Sequence, residues 1–331
     1  MTVITYRALF FLGAVVWSIT AQASGPSGGL TLLEAPGARA ASVAEAFSAA
    51  SDDITAAAYN PAALSTLSGP QFSFTYQSGI ADDASGRVDA GIRNLGLSAA
   101  YYSAGDVDLL EAGAVRTVNA QTDLAVSLGT ALRLGRVGVG VAAKFLTSQL
   151  AEADRATAWA GDAGLTVPTR FFRFSTAIQN IGTRLTYVES GDRLPRIARS
   201  GVEVPFRIGG TPVALRAEAP YFLNEQEWRP AAGLEVRAGP LSFRAGYRSK
   251  TQLEGLTLGT GFSLGALTLD YAFGFVDDLD ARQRLSVVFR FRPPELEEAP
   301  FVRRARKRTA PENKSDTQAP GPWRMRMGDI K

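Results

Sequence analysis

The stretch Gly255–Phe275, GLTLGTGFSLGALTLDYAFGF, carries the pattern that decides the fold. Apolar side chains recur at every second position, and small or polar residues occupy most of the positions between them. The apolar set is Leu256, Leu258, Phe262, Leu264, Leu267, Leu269, Tyr271, Phe273 and Phe275. A period of two is that of a β-strand with one apolar face, and Gly265 between the two runs predicts a tight turn.

The same alternation extends from Gln71 to Arg292, with no helical stretch of similar length to suggest parallel β-α-β units. We count about fourteen segments in this array. They begin near Gln71, Arg87, Leu95, Thr122, Arg136, Thr157, Phe171, Arg196, Pro212, Trp228, Leu241, Gly255, Ala266 and Arg282. The sequence therefore predicts an all-β protein with antiparallel strands.

The predicted connections alternate in length. Short turns are expected at Gly135, Pro168-Thr169, Gly209-Gly210, Gly239-Pro240 and Gly265. Longer polar loops are expected at Gly105–Gln121, Ala151–Ala156, Gly182–Pro195, Leu223–Glu227, Lys250–Glu254 and Val276–Asp280. Outer-membrane barrels have short turns on the periplasmic side and longer loops outside the cell. An even number of strands then places both termini in the periplasm.

A soluble β-sandwich would also show this alternation, because one face of each of its sheets is wet. Segments of about ten residues, however, are long enough to cross a bilayer at a tilt, and a bilayer forbids open sheet edges. Aromatic residues near strand ends suit interfacial girdles: Tyr101, Trp228, Tyr247, Phe275, Phe289 and Phe291. We predict a transmembrane antiparallel β-barrel of about 14 strands over residues 71–292, with an N-terminal helical plug.

The two ends of the chain carry different signals. Residues 1–23 have the form of a cleaved signal peptide, with the apolar run Ala8–Thr20 before the small residues of Ala21-Gln22-Ala23. Residues 293–331 are rich in proline and contain the basic run Arg303–Arg308, which predicts a disordered periplasmic tail. An arm that binds an anionic partner is the alternative for this tail.

Composition excludes several classes of function. The chain has no Cys and no His, which removes thiol and imidazole catalysis and nearly every zinc or haem site. Its net charge of +3 gives no reason to expect a nucleic acid partner. Glycine pairs such as Gly138 and Gly140 lie inside strand patterns, so they are not nucleotide-binding turns. We predict a protein that is not an enzyme and has neither cofactor nor metal.

The segment 24–70 precedes the first strand and contains Gly37–Leu67, GARAASVAEAFSAASDDITAAAYNPAALSTL. Its alanine-rich part predicts a helix over Ala40–Ala50. Ser51–Asp53 are predicted to cap a second short helix, Ile54–Tyr59. Asn60-Pro61 resembles an N-cap followed by proline at the first helical position. We interpret this segment as a plug inside the barrel, although a helical hairpin on a soluble domain would have the same local pattern.

The strand face opposite the apolar one is polar and net basic. It carries Arg133, Lys144, Arg173, Arg229, Arg237, Arg244, Arg248, Arg284 and Arg290 against Asp123, Glu235 and Asp270. Such groups point into the lumen of a barrel, since they cannot face lipid. Candidate lumen contacts with a ligand or the plug are Arg39, Glu45, Asp52, Asp53, Asn60, Pro61, Arg133, Lys144, Arg173, Arg244, Arg248 and Asp270. They predict either a path for an anionic or amphipathic ligand or a structural ladder that pairs with the acids of the plug.

The plug segment also resembles a known family. Four short runs are similar to the N-terminal signature of the PorV/PorQ family: Leu33–Ala41 (LEAPGARAA), Glu45-Ala46-Phe47, Asp52-Asp53 and Tyr59–Leu64 (YNPAAL). That family is related to the FadL-type outer-membrane transporters. The usual form is close to GARAxxxGxAFxAxADDxxAxxxNPAGL, and this chain departs from it at Ala44 and Ala63. Ile178–Gly182 with Leu194-Pro195, and Arg244–Arg248 with Asp270–Ala272, also resemble the family.

The resemblance implies two functions. A FadL-like barrel would pass hydrophobic or amphipathic small molecules across the outer membrane of a Gram-negative bacterium. A PorV-like adaptor would instead hold secreted proteins at the cell surface for a type IX-like secretion system. The implied partners are therefore outer-membrane lipid, hydrophobic small molecules, and secreted or periplasmic proteins that contact the loops or the tail.

Overall fold

The computed structural model describes residues 27–79, 82–111, 114–151, 155–187, 191–249, 255–275 and 281–291. The predicted signal peptide at 1–23, the predicted tail at 293–331, and the loops predicted at Lys250–Glu254 and Val276–Asp280 lie outside the described residues. Among the described residues, no helix has the length and apolar character required to cross a bilayer.

Strands account for most of the described chain. In chain order they are β1 Gln71–Ser78, β2 Ala84–Ile92, β3 Leu95–Ser103, β4 Asp106–Glu111, β5 Ala114–Asn119, β6 Gln121–Leu134, β7 Val137–Leu150, β8 Ala156–Pro168, β9 Arg173–Gly182, β10 Arg184–Thr186, β11 Gly191–Arg193, β12 Ile197–Ile208, β13 Thr211–Glu218, β14 Tyr221–Phe222, β15 Glu227–Trp228, β16 Ala231–Ala238, β17 Leu241–Arg248, β18 Leu256–Leu264, β19 Leu267–Gly274 and β20 Arg282–Arg290.

Fourteen of these strands close into one antiparallel barrel, which confirms the predicted fold. Their order around the barrel is β1, β2, β3, β6, β7, β8, β9, β12, β13, β16, β17, β18, β19 and β20. The ring closes where β20 pairs with β1, with Gln71 opposite Arg290. Each of these strands begins within three residues of its predicted start.

The connections alternate in length around the barrel. On one side the strands are joined by short turns, as at Gly135, where φ is 63°, and at Gly209-Gly210. On the other side the chain forms three small hairpins, β4–β5, β10–β11 and β14–β15, between barrel strands. We call these sides the short-turn end and the long-loop end. The segment 27–70 enters β1 at the short-turn end.

The barrel wall separates apolar and polar side chains as the period of two requires. Along β1, Phe72, Phe74 and Tyr76 are exposed on the outer surface, whereas Ser73 and Thr75 are buried inside. On β18, Leu256, Leu258, Phe262 and Leu264 face outward as predicted. An apolar outer surface around a polar interior is the arrangement of a membrane-spanning barrel.

The plug segment has less helix than the sequence predicts. It contains an α-helix only over Ala38–Ala41 and 3₁₀-helices over Leu30–Leu32, Ile54–Ala58 and Pro61–Thr66. The predicted helix Ala40–Ala50 is therefore wrong beyond Ala41. After one turn the backbone passes through left-handed conformations at Ala44 and Glu45, with φ of 53° and 61°. The amides of Phe47 and Ser48 then hydrogen-bond to Glu218 of the barrel wall, which removes the need for helical carbonyl partners.

Candidate functional site

The plug occupies the lumen, and its backbone amides are held by side chains from β1, β13, β18 and β20. Amide N–H groups donate to wall oxygens as follows: Ala38 to Ser286 Oγ, Ala44 to Thr257 Oγ1, Phe47 and Ser48 to Glu218 Oε2, and Ile54 to Gln71 Oε1. These bonds of 2.8–3.1 Å satisfy buried amides at the starts of the short helices and in the irregular stretch between them. The wall therefore dictates the irregular course of the plug.

Two cap residues shape the second half of the plug. Asp53 is the N-cap of Ile54–Ala58 and accepts a hydrogen bond from the Thr55 amide. Asn60 caps the helix Pro61–Thr66 through the Ala62 amide, with Pro61 at the first helical position as predicted. The Asn60 side chain also donates to the Leu165 carbonyl of β8 at 2.9 Å. One amide thus fixes both the local turn and its position against the wall.

Arg39 is the centre of a buried ion network near the short-turn end. Its guanidinium donates to both oxygens of Glu235 and, at 2.8 Å, to Asp53 Oδ2. It also lies 5.3 Å from the ring of Phe47. Burial alone would lower the pKa of Arg39, but the carboxylates of Glu235 and Asp53 raise it overall. The arginine therefore remains a cation inside the barrel.

The network continues through the wall. Its arginines are Arg39, Arg173, Arg216, Arg237, Arg244 and Arg290, and its carboxylates are Asp53, Glu203, Glu235 and Asp270. Arginine outnumbers carboxylate, and the guanidiniums also use other oxygens, such as that of Thr268, which accepts from Arg290. Each buried charge thus has a partner of opposite sign, the condition under which buried ions are tolerated.

Asp53 is the acid through which the plug meets Arg290 of the last strand, at 3.2 Å. Burial raises the pKa of Asp53, but the positive charges of Arg290 and Arg39, with a hydrogen bond from Thr55, lower it below its ordinary value. Asp53 is therefore a carboxylate at neutral pH. It links the plug to the seam where the barrel closes.

A second contact between plug and wall joins Glu45 to Arg248 at 2.6 Å. The Tyr59 hydroxyl donates to the same carboxylate at 3.0 Å, and the Arg199 guanidinium stacks 4.7 Å above the Tyr59 ring. Burial and the negative charge of Glu45 raise the pKa of Tyr59 well above its ordinary value. Tyr59 is thus a neutral hydrogen-bond donor.

The remaining predicted site residues are dispersed. Asp52 accepts hydrogen bonds from Ser68 and Gln71 at the entry to β1. Among the described residues, no arginine forms an ion pair with it. Arg133 donates to the Ser65 carbonyl at 3.0 Å. Arg229, predicted to face the lumen, instead lies beside the β14–β15 hairpin, where it stacks 4.1 Å above Phe222.

Sequence reasoning missed a set of glycines on the inner face of the wall. We define the glycine ring as Gly91, Gly138, Gly140, Gly164, Gly201, Gly233, Gly246 and Gly259. A Cβ atom added at any of them would lie within 2.7 Å of a plug atom. At Gly140, for example, it would lie 2.4 Å from the Ala62 nitrogen. The signal was visible, because several of these glycines occupy inward positions of strands, where glycine is unfavourable without a close neighbour.

Acids on the inner face were also missed. Glu203 and Glu218 bind Arg173 and Arg199, each at 2.8 Å. Asp162 pairs with Lys144 at 2.7 Å. All of them occupy inward positions of their strands, so the alternation alone would have located them.

A cavity of about 60 Å³ lies between the plug and one side of the wall. The plug contributes residues from 31–36 and 54–64, and Glu45. The wall contributes strands β2, β3, β6, β7, β8, β9 and β12, including Arg87, Asp89, Ala100, Ala125, Ala142, Lys144 and Asp162. The lining combines small apolar residues with charges that are already paired, Arg87 with Asp89 and Lys144 with Asp162. The cavity is large enough for a few water molecules or one small ligand group.

Several solved structures share this fold. The CymD monoaromatic hydrocarbon channel matches with a TM-score of 0.55 at 13% identity, over 78% of this chain and 98% of that chain. The Ralstonia pickettii toluene transporter TbuX matches with a TM-score of 0.52 at 16% identity, over 76% and 98%. The TodX deltaS2S3 mutant monoaromatic hydrocarbon channel matches with a TM-score of 0.53 at 13% identity, over 78% and 100%.

No protein-family model matches the sequence, and no curated protein matches it significantly. The relationship that the comparisons show is therefore one of architecture: this chain is a closed 14-strand barrel of the kind found in outer-membrane hydrocarbon channels.

Proposed function

We propose that this protein is a FadL-like channel that passes small hydrophobic or amphipathic compounds across the outer membrane. The observation that carries the proposal is the cavity between the plug and the wall of a closed barrel. The likeness to channels named for monoaromatic hydrocarbons and toluene supports it. A protein of this kind is a transporter and not an enzyme.

The chemistry of the cavity favours amphipathic compounds. Ala100, Ala125 and Ala142 supply apolar surface. The nearby charges are neutralised by their own partners, so an apolar group enters without stranding an unpaired ion. Lys144 and Asp162 offer a polar edge on the same side for a hydroxyl or carboxyl group.

The test is uptake by Gram-negative host cells that lack a hydrocarbon channel of their own. We expect expression of the full chain to raise uptake of radiolabelled toluene and of a medium-chain fatty acid. Ala142→Phe fills the cavity and is expected to return uptake to the host background. Ala143→Phe is the matched control, because Ala143 is the next residue and is exposed on the outer face. Equal uptake by both variants, each folded by heat-modifiable gel mobility, would reject the cavity as the path.

We further propose that the mature chain begins near Ser24, that residues 24–70 form the plug, and that both termini are periplasmic. The signal-like residues 1–23 and the even number of barrel strands support this topology. Fractionation followed by N-terminal sequencing tests it. A water-soluble product, or a start far from Ser24, would contradict it.

A PorV-like adaptor is the second candidate, and with it the finer assignment to the PorV/PorQ family. It is favoured by the hairpin β4–β5 at the long-loop end, where Leu110 and Val115 pair and are 76% and 67% exposed. Exposed apolar side chains on such a hairpin suit contact with a secreted protein. Co-purification of secreted proteins with the wild-type barrel, but not with a Leu110→Asp, Val115→Asp variant, would support the adaptor.

A further inference from the structure

The charged side chains in the short turns themselves all carry a positive charge. Four successive turns around the barrel follow β2, β6, β8 and β12. The first three hold Arg93, Arg136 and Arg170, and Arg207 lies two residues before the fourth, where it donates to the Gly210 carbonyl at 2.7 Å. We call these four residues the arginine arc. All four are exposed. The short turns themselves, at 93–94, 135–136, 169–172, 209–210, 239–240 and 265–266, contain no Asp or Glu.

The arc lies directly beside the apolar outer surface. Each arginine of the arc has an apolar residue next to it or two residues away: Ile92, Leu134, Phe171 and Ile208. Each of these four side chains is more than half exposed. The apolar surface thus extends to the turns themselves. A side chain in these turns therefore lies at the depth of the lipid headgroups.

The interfacial aromatics support this placement. The outward Tyr and Trp side chains of the described strands lie in the long-loop half of the wall or in its hairpins: Tyr76, Tyr101, Trp159, Trp228, Tyr247 and Tyr271. The short-turn end has Leu, Ile and Phe instead, followed by arginine. The polar anchor that tyrosine and tryptophan provide at one interface is provided by guanidinium at the other.

We propose that the arginine arc binds the phosphate groups of anionic phospholipids in the leaflet that faces the short turns. Guanidinium matches phosphate in geometry and is weakly hydrated, so it suits this interface. The turns at 239–240 and 265–266 are uncharged, and Arg237, two residues before the first of them, is bound to Glu235 at 2.8 Å. The bound lipids would therefore collect on one side of the barrel, the side that contains the cavity.

The test compares melting temperatures of the full chain in detergent micelles doped with phosphatidylglycerol or with phosphatidylcholine. Phosphatidylglycerol should raise the melting temperature, since a ligand of the folded state stabilises it. The triple variant Arg93→Gln, Arg136→Gln, Arg207→Gln should lose roughly half or more of that rise. The matched control, Arg116→Gln, Arg155→Gln, Arg184→Gln, removes the same charge at the long-loop end and should keep the rise. Both triples retain the basic run Arg303–Arg308, so the tail contributes equally.

Inorganic phosphate at the same concentration should leave the melting temperature unchanged, which separates lipid from free anion. The proposal would be overturned if phosphatidylglycerol raised the melting temperature of the short-turn triple variant as much as that of the wild type. It would also be overturned if the two triple variants lost equal parts of this rise. If the triple variant does not fold, the same comparison of melting temperatures is made at one position, with Arg136→Gln against Arg136→Lys. The experiment measures the effect of anionic lipid on the melting temperature and does not measure uptake. If lipid binding by the arginine arc is disproved, the proposed transport function is therefore unaffected.

Discussion

Arg39 of the plug and Glu235 of β16 meet through a two-pronged contact, with guanidinium nitrogens 3.0 and 3.2 Å from the carboxylate oxygens. Both side chains are almost completely buried. The pair joins the plug to the wall of the barrel, 196 residues later in the sequence.

Arg39→Gln should destabilise the folded barrel by about 3–5 kcal/mol, because it strands Glu235 and Asp53 without their shared cation. Arg237→Gln is the control. Arg237 also binds Glu235, at 2.8 Å, but its side chain is 33% exposed, so its loss should cost about 1 kcal/mol or less. Urea unfolding in lipid measures both variants. If the two variants lose similar amounts of unfolding free energy, the stability of the network does not depend on the central position of Arg39.

Acid should loosen the plug through Asp53. The pKa of Asp53 is lowered by Arg290 and Arg39 in the folded state, so its stabilising effect is complete above the unfolded value of about 3.9. It is lost as the pH falls through the lower, folded value. The difference in unfolding free energy between wild type and Asp53→Asn should therefore shrink below about pH 4. A difference that stays constant from pH 7 to pH 3 would contradict this assignment.

The glycine ring should tolerate no side chain where it touches plug backbone. Gly140→Ala places a Cβ atom against Pro61 and Ala62 and should cost about 1–3 kcal/mol through overpacking. Gly86→Ala on β2 is the matched change, because nothing lies within 4 Å of the added atom. It should be nearly neutral, within about 0.5 kcal/mol. Thermal unfolding of both variants measures the contrast, and equal stability would show that the plug yields easily.

Charge on the outer surface should be costly according to depth. Leu258→Arg near the middle of β18 should lower stability in lipid by about 2–4 kcal/mol, whereas Leu264→Arg beside the short turn should lose about 0–1 kcal/mol. Both leucines face outward on the same strand, so the comparison isolates depth. Refolding titrations in urea measure it. Equal penalties would mean that the apolar surface is not the lipid-facing one.

Removal of residues 40–64 should open the bore. The deleted residues include those that approach every glycine of the ring except Gly138 most closely, and also Asp53, the partner of Arg39. We expect higher single-channel conductance in a planar bilayer than for the intact chain. Unchanged conductance, together with a plug segment that proteases cut in the folded barrel, would indicate that these residues lie outside the lumen.

The strands were predictable because a period of two can be recognised within a short stretch of sequence. In a membrane barrel this alternation is regular, since the side chains that face lipid must be apolar. Leu258 and Leu132 face outward, and Asp270 and Lys144 face inward, as the alternation requires. The plug was less predictable, because its backbone is shaped by groups far away in sequence. Ala40–Ala50 has good helical propensity, yet the Phe47 and Ser48 amides donate to Glu218 on the opposite wall. Similarly, Asp52 and Asp53 are adjacent in sequence, but only Asp53 binds arginines, Arg39 and Arg290. The position of Arg290 on the folded wall determines this difference, and the sequence pattern does not reveal it.

The glycine ring has a consequence for the order of assembly. Plug atoms fill the space of the missing side chains, so the closed barrel leaves no free bore through which a folded plug could later be threaded. The seam between β1 and β20 joins the strand that follows the plug to the last strand of the barrel. The residues that are synthesised early must therefore be enclosed by those that are synthesised late, with the seam closing around an occupied interior. Any insertion machinery that completes this barrel acts on a sheet already wrapped around its own N-terminal segment.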